Sequence, residues 1–266
     1  MKFLDRFVLL ISKHWFNPFF TLWFNFRFLP FKQAIHLPIL VWGIPKIINL
    51  SPNFEIILDC KTIKRGLIKI NRTAECPTHS GGHTEFVLCG KSIIFKGATF
   101  IGCGTRILSY LNSTIIIGNH VVINQQNTIV SCEKIILEDY ISIGSKVQIM
   151  DSSMHFVYHS DERKVNKLSS PIIIGHNTWI ANGGSIYKGT ILPPYSTLAG
   201  GSMVNRDYSQ EAEGTCFVGN PAKPKIRNFY RIKKSSEEMK LYTYFLEHDV
   251  DTYYYEKEPS SDIFNG

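Results

Sequence analysis

Residues 172–204 read IIIGHNTWIANGGSIYKGTILPPYSTLAGGSMV, and an apolar residue returns at every sixth position of this stretch. The positions are Ile174, Ile180, Ile186, Leu192, Leu198 and Val204. No α-helix or ordinary strand has this period, whereas a fixed interval within one chain is typical of a solenoid, and about six residues indicates a parallel β-helix. We therefore expect a mainly β protein whose three-sided coils stack aliphatic side chains in one central column.

The same interval is present upstream of this stretch. Its apolar positions are Phe95, Ile101 and Ile107, then Ile117, Ile123 and Ile129, then Leu137, Ile143 and Ile149. Two interruptions break the pattern. Residues 131–134 are expected to bulge out of a coil, and residues 151–170 are too polar to continue the coils. Because loops that project from a rigid scaffold frequently carry function, we expect residues 151–170 to form a functional insertion.

The chain divides into three parts by composition. Residues 1–52 are aromatic and apolar, and they allow two interpretations: a cap on the solenoid end, or a segment lying in a membrane interface with Trp15 and Trp23 at headgroup level. This part lacks the charge-free run of about 18 residues that a spanning helix needs. Residues 53–228 are expected to form the solenoid domain, and residues 229–266 a short helix and a frayed tail.

Composition disfavours some classes of function. The chain has 29 Lys and Arg residues against 22 Asp and Glu residues, a net charge of +7, and the basic residues are scattered. We therefore expect no nucleic-acid partner. The six cysteines contain no CxxC pair, and the N-terminus lacks a cleavable signal. We expect free thiols, no metal and a cytoplasmic location, with the inner face of the membrane as the alternative.

Three segments, in this order, resemble a known family. They are IIIGHNTWIANGG (172–184), GGSMVNRD (200–207) and FVGNPAKPKIR (217–227). At solenoid spacing they resemble the hexapeptide-repeat acyltransferases, and most closely the sugar O-acetyltransferases of galactoside, maltose and capsule type. The resemblance implies a left-handed parallel β-helix and a homotrimer with active sites between neighbouring subunits. It also implies acetyl-CoA as the acyl donor and a sugar or polysaccharide precursor as the acceptor.

The resemblance places the catalytic base at His155, within the segment IMDSSMHFV at the start of the insertion. Acetyl transfer to a hydroxyl needs a base whose pKa lies near the working pH, which suits imidazole. His159 is the second candidate. Asp151 is expected to orient His155, to bind the acceptor or to be a turn residue. Asn127, beside Gln126, is expected to contact the acceptor or to belong to an internal amide ladder.

The long acyl carrier needs an exposed backbone groove, and its phosphates need cations. The positions that match the family's motif are Trp179, Ala181, Asn182, Gly200 and Gly201 for the groove, and Arg206, Lys223 and Arg227 for the phosphates. Asn205 and Arg206 stand where the family often has Thr-Lys. This departure retains the positive charge but changes the geometry of the phosphate contact.

Three other functions stay open at this point. An N-acyltransferase that modifies an amino sugar needs less help from a base, because a deprotonated amine is already nucleophilic. A metal-dependent hydratase resembling the γ-class carbonic anhydrases needs three convergent histidines, and a site at His79 and His83 is a further metal alternative. However, the histidines do not recur in coil register. The last alternative is a non-catalytic scaffold, which the polar insertion carrying His155 disfavours.

Overall fold

The structure is a computed structural model that describes residues 15–73 and 82–265 of the 266-residue chain. Residues 1–14 of the aromatic segment and His79 of the alternative metal site lie outside the described residues. Within the described ranges, short strands predominate and helices are few. The expectation of a mainly β protein is therefore confirmed.

Most strands belong to three sheets that the chain visits in turn. The first sheet contains β1 (Ile39–Val41), β4 (Ile68–Arg72), β7 (Thr99–Gly102), β10 (Val121–Ile123), β13 (Ser142–Ile143), β18 (Trp179–Ile180), β21 (Thr197–Leu198), β23 (Cys216–Gly219) and β24 (Ala222–Ile226). The second contains β2 (Lys46–Leu50), β5 (Glu85–Leu88), β8 (Arg106–Ser109), β11 (Thr128–Ser131), β14 (Gln148–Met150), β19 (Ser185–Tyr187) and β22 (Met203–Val204). The third contains β3 (Glu55–Leu58), β6 (Ser92–Phe95), β9 (Thr114–Ile117), β12 (Lys134–Leu137), β17 (Ile172–Ile174) and β20 (Ile191–Leu192).

Successive strands pass from one sheet to the next, and pairing within each sheet is parallel except between β23 and β24. The backbone therefore winds around a common core in coils. The residues of the six-residue pattern lie at matching positions: Ile117, Leu137, Ile174 and Leu192 stand above one another in the third sheet. All of these pattern residues are at most 3% exposed, so the predicted aliphatic column is the core. The left hand of the coil stays a prediction.

The coils begin earlier than the sequence pattern indicated. Strand β1 starts at Ile39, inside residues 1–52, because Ile39 and Val41 are buried in the same core as the later coils. The helix before it, α1 (Pro18–Phe28), is followed by the short helix α2 (Phe31–Ala34). Phe24 and Phe28 of α1 are buried and their rings contact Phe86 and Phe54 of the coils.

Helix α1 also covers the open edge of the first sheet. The side-chain amide of Asn25 accepts a bond from the Ile39 N–H (3.1 Å) and donates one to the Ile39 carbonyl (2.7 Å). The Thr21 hydroxyl accepts a bond from the Val41 N–H. Since an unpaired sheet edge invites association with another strand, these side chains take the place of a neighbouring strand.

The remaining elements lie outside the coils. The insertion carries a small antiparallel hairpin, β15 (Tyr158–His159) and β16 (Lys164–Val165). After β24 come helix α3 (Ser235–Glu247), in which no residue is buried, and a 3-10 turn (Ser261–Phe264) whose Ile263 is buried. Among the described residues, no helix is both long enough and apolar enough to cross a bilayer.

Three corners join the sheets, and two of them concern the site. The glycine corner leads from the first sheet to the second and contains residues 144–147, 181–184 and 199–202. The insertion corner leads from the second sheet to the third and contains residues 151–171, 188–190 and 205–207. The two corners lie at opposite ends of the strands of the second sheet.

Candidate functional site

Asp151 lies at the root of the insertion and is fully buried. Its carboxylate accepts four hydrogen bonds from the turn at residues 131–134. The donors are the Ser131 hydroxyl (2.8 Å) and the N–H groups of Cys132 (2.7 Å), Glu133 (2.9 Å) and Lys134 (2.8 Å). These bonds occupy both oxygens, so the expectation that Asp151 orients His155 or binds the acceptor is corrected. Asp151 is a turn residue, and its carboxylate satisfies the backbone N–H groups of the bulge that the sequence indicated at residues 131–134.

Two further side chains fix the insertion to the coils. Glu133 forms an ion pair with Lys167 (2.7 Å) and accepts a bond from the Ser169 hydroxyl (2.9 Å). The Lys188 ammonium donates to the carbonyls of Lys167 (2.9 Å) and Leu168 (3.2 Å) and to the Ser153 hydroxyl. Sequence reasoning missed both residues, since they act on positions distant along the chain.

His155 lies on the insertion and is exposed to solvent. Its backbone carbonyl accepts a bond from the Ser153 hydroxyl (3.2 Å). Within the described ranges, no carboxylate is hydrogen-bonded to its imidazole. The runner-up His159 is also exposed and contacts the Asn166 amide. The insertion is therefore hydrogen-bonded to the coils at its base, and the imidazoles of His155 and His159 are exposed to solvent.

Asn127 is an internal structural residue. Its side-chain oxygen accepts a bond from the Val147 N–H (2.7 Å) and its amide donates to the Asn124 carbonyl (2.9 Å), while only 1% of the residue is exposed. The expectation that Asn127 contacts the acceptor is therefore corrected, because both of its polar groups bond to backbone inside the coils. The alternative of an internal amide is the one that the geometry supports.

The glycine corner brings together four of the residues expected at the carrier groove: Ala181, Asn182, Gly200 and Gly201. The Asn182 side chain accepts a bond from the Ser145 N–H (2.8 Å), and the Gly201 N–H donates to the Asn182 carbonyl (3.1 Å). A Cβ added at Gly201 would meet nothing within 4 Å, and one at Gly200 would lie 3.5 Å from its nearest neighbour, the Asn182 carbonyl oxygen.

This corner is therefore an open strip of backbone. In the described part of the chain, no hydrogen bond uses the N–H of Asn182 or of Gly200. Such a strip suits a narrow chain that carries amide groups of its own. Gly144 lies beneath it, and a Cβ there would come within 2.5 Å of the Asn182 side-chain oxygen, so the residue at position 144 must be glycine for Asn182 to bond as it does.

Trp179 lies two residues before the glycine corner, on the outer face of the first sheet, and is half-buried. The Arg231 guanidinium lies over its indole ring, 5.4 Å from the centroid. Arg231 belongs to the segment after β24, so the C-terminal part of the chain reaches the edge of the expected groove. No sequence pattern indicates this contact, because Arg231 and Trp179 are distant along the chain.

Of the three expected phosphate-binding cations, Arg227 forms an ion pair with Glu211 (3.3 Å), and the other two lie at different corners. Arg206 is exposed at the insertion corner, next to Asp207, which bridges to Ile191. Lys223 is exposed in β24, opposite Val218 near the glycine corner. Tyr208 connects them: the Arg206 guanidinium lies 5.0 Å from its ring, and its hydroxyl donates to the Ala222 carbonyl (3.2 Å).

The expected site residues are thus divided within one chain. His155 and Arg206 lie at the insertion corner, whereas Ala181, Gly200 and Lys223 lie at or beside the glycine corner. A whole strand of the second sheet separates the corners. One chain does not bring the expected base and the expected carrier groove together.

The cavities of a single chain lie elsewhere. Cavities of about 500 and 840 Å³ share Lys96 and Asp139 as lining residues, and both follow the corner that joins the third sheet to the first. His120 and His176 lie here, with His120 stacked on Tyr140 (5.1 Å between centroids) and His176 beside Glu138. None of the expected catalytic residues lines either cavity.

Metal and thiol chemistry find little support among the described residues. No three His, Cys, Asp or Glu side chains of residues 15–73 and 82–265 are placed to hold one metal ion. His83 instead contacts the Ile44 carbonyl. Burial raises the pKa of the Cys132 thiol, and the charge of Asp151 raises it further against the lowering effect of Ser152. A raised pKa disfavours the thiolate, so Cys132 is not an activated nucleophile.

Two curated proteins resemble the chain in sequence. YJL218W of Saccharomyces cerevisiae, named provisionally as an acetyltransferase, is 33% identical over 42% of this chain and 55% of its own length. WbbJ of Escherichia coli K12, named provisionally as a lipopolysaccharide biosynthesis O-acetyl transferase, is 27% identical over 53% of this chain and 71% of its own length. The chain thus spans about half the length of the yeast relative. No protein-family model matches the chain.

A solved structure shares the fold. The polysialic-acid-specific acetyltransferase NeuO superimposes with a TM-score of 0.51 over 83% of this chain and 91% of its own, at 19% identity. The chain resembles the hexapeptide-repeat sugar O-acetyltransferases. A Vibrio cholerae hexapeptide-repeat acetyltransferase, solved with acetyl coenzyme A, matches 42% of this chain and 60% of its own at 25% identity. Its TM-score of 0.36 is too low to locate a site by superposition.

Proposed function

We propose that this chain is an O-acetyltransferase that moves an acetyl group from acetyl-CoA to a hydroxyl of a sugar or polysaccharide precursor. The proposal rests on one observation: within a single chain, the expected base lies at the insertion corner and the expected carrier groove lies at the glycine corner. A homotrimer would set the insertion corner of one subunit against the glycine corner of the next and would reunite base and groove. The names of the two curated relatives support the reaction class, and the fold of NeuO supports the architecture.

His155 is the proposed general base. It lies on an exposed loop whose root is held by Asp151, Glu133 and Lys188, so its position is defined although its imidazole is open to an acceptor. The imidazole accepts the proton of the attacking hydroxyl. This hydroxyl attacks the thioester carbonyl of acetyl-CoA and forms the new C–O bond; the C–S bond then breaks, and the departing coenzyme A thiolate takes the proton back from the imidazolium.

The glycine corner is the proposed carrier groove. Gly200 and Gly201 leave room for a narrow chain, and the N–H groups of Asn182 and Gly200 are available to its carbonyl oxygens. Lys223 beside this corner, and Arg206 of the facing insertion corner, provide positive charge for the phosphates. Trp179, covered by Arg231, borders the groove.

Acetyl-CoA binding tests the groove. We expect calorimetry to show micromolar binding to the wild type and binding weakened about tenfold or more in Arg206→Ala/Lys223→Ala, since two charge-assisted contacts are lost. The matched control is Lys61→Ala/Lys64→Ala, whose exposed lysines line the 840 Å³ cavity. Equal affinity in all three proteins, or no binding to a folded wild type, would contradict the proposal.

One observation favours a second candidate, an N-acyltransferase acting on an amino sugar. His155 has no hydrogen-bonded carboxylate in the described chain, and an amine acceptor needs less help from a base. Turnover of an amino sugar and of its hydroxyl analogue separates the two reactions. If the chain is an O-acetyltransferase, the wild type should transfer the acetyl group to the hydroxyl analogue, and His155→Ala should lose this transfer. Transfer to the amino sugar alone, still present in His155→Ala, would establish the second candidate.

A further inference from the structure

Residues 15–35, which include the two N-terminal helices, expose several large apolar side chains. Phe19, Leu22 and Phe26 are spaced three and four residues apart on one face of α1, and Phe19 is 72% exposed. Phe31, 70% exposed, starts α2, and its ring lies 6.1 Å from that of Phe26. We call Trp15, Phe19, Leu22, Phe26, Phe31 and Ile35 the aromatic row; all six side chains are exposed.

This exposure is not a by-product of packing. The opposite face of α1 is already used, since Phe24 and Phe28 are buried against the coils and Asn25 bonds to β1. The aromatic row therefore adds nothing to the core. Contiguous apolar surface of this kind on a folded domain marks a site of interaction.

The charges around the aromatic row select the partner. Residues 15–50 contain Arg27, Lys32 and Lys46 and no Asp or Glu. Arg27 and Lys32 are exposed and have no ion pair within the described residues. Arg27 donates to the Pro52 carbonyl (3.4 Å) and lies over the Phe28 ring (5.1 Å), whereas Lys46 pairs with Glu85 from the second sheet (3.4 Å). Exposed aromatic side chains flanked by cations that have no carboxylate partner match the boundary between acyl chains and anionic headgroups.

We propose that the aromatic row docks the protein on the surface of an anionic lipid bilayer. Helix α1 lies along the interface with its aromatic side chains at the headgroup and acyl boundary, while Arg27 and Lys32 contact lipid phosphates. Helix α1 is too short to span a bilayer, so the contact is peripheral. The proposal stands apart from the acetyl-transfer chemistry, because none of these residues belongs to the proposed base or groove.

Sedimentation with vesicles tests the docking. Vesicles of phosphatidylcholine with about one third phosphatidylglycerol should bind the full chain, and binding should weaken with salt. Phe19→Ser/Phe31→Ser should lower binding roughly tenfold or more, because two exposed rings no longer leave water. Leu246→Ser is the matched control: Leu246 of α3 is also 70% exposed, and its loss should leave binding unchanged.

Other outcomes would overturn the lipid contact or assign the aromatic row to a different partner. Equal sedimentation of the wild type and Phe19→Ser/Phe31→Ser overturns the proposal, as does failure to bind anionic vesicles. A smaller assembly of the double variant in light scattering would assign the aromatic row to contact between copies instead. Loss of binding on deletion of residues 1–14, with binding retained in Phe19→Ser/Phe31→Ser, would move the contact to the preceding segment. Unchanged acetyl transfer to a soluble acceptor in the double variant keeps this test separate from that of the reaction.

Discussion

At the scale of the residue, Asp151 shows how a side chain with a catalytic appearance serves the fold. It lies four positions before the proposed base, a spacing that suggests an orienting carboxylate, yet it bonds to the turn at residues 131–134. Those contacts join positions about twenty residues apart, so one-dimensional spacing could not show them. Asn127 was misassigned for the same reason: its partner Val147 lies one coil further on.

Replacing Asp151 should therefore reduce the stability of the protein much more than its activity. Asp151→Ala leaves three backbone N–H groups without acceptors, and we expect the free energy of unfolding to fall by about 3 kcal/mol or more. Asp161→Ala, at an exposed position of the insertion, is the control. Urea unfolding measures the loss, and kcat of the protein that remains folded should stay within a few-fold of wild type. Unchanged stability with a loss of about 100-fold or more in kcat would restore the orienting role.

At the scale of the element, the regular coils could be predicted from the sequence, whereas the first coil and the contacts of the C-terminal segment could not. The six-residue interval is local, and burial of Ile117, Leu137 and Ile174 follows directly from it. The first coil at Ile39 escaped prediction because its spacing is irregular before residue 90. The tail after the C-terminal helix was expected to fray, yet its Ile263 is buried and Tyr195 donates to Asn265 (2.7 Å). Before the helix, Lys233 donates to the Tyr140 carbonyl and to the Asn177 side chain (2.9 Å).

Lys233 gives this C-terminal attachment a pH dependence. Burial and, to a lesser extent, the charge of Arg231 together lower the pKa of its ammonium from 10.5 to about 8. Below pH 8 the folded and unfolded chains both bind the proton, so the cost of burying the charge is fully present. Between about pH 8 and 10 only the unfolded chain keeps the proton, and stability should therefore rise with pH.

Urea unfolding between about pH 7.5 and 9.5, measured every half unit or so, gives this rise in the free energy of unfolding. Lys233→Met should flatten it, because the group that binds fewer protons in the folded chain is gone. Lys64→Met, at an exposed lysine, should keep the wild-type slope. Cys and Tyr groups titrate in the same window but are common to all three proteins. An unchanged slope in Lys233→Met would show that the Lys233 ammonium is not the cause.

At the scale of the whole molecule, the proposed active site depends on how corners of different subunits meet. The sequence motifs placed the base and the carrier groove in one protein, and the resemblance implied a trimer. Only the topology shows that His155 and Gly200 stand at opposite ends of the second sheet's strands. A closed ring of three identical chains offers one way to bring unlike corners together three times over.

Mixed trimers test this claim most directly. His155→Ala removes the base at the insertion corner, and Gly200→Leu fills the groove at the glycine corner. Co-expressed with different tags and purified through both, these inactive variants form only trimers containing each kind of chain. In such a ring one of the three junctions joins an intact base to an intact groove, so we predict about one third of wild-type activity. Mixed trimers that form but remain as inactive as either variant alone would contradict an active site shared between subunits.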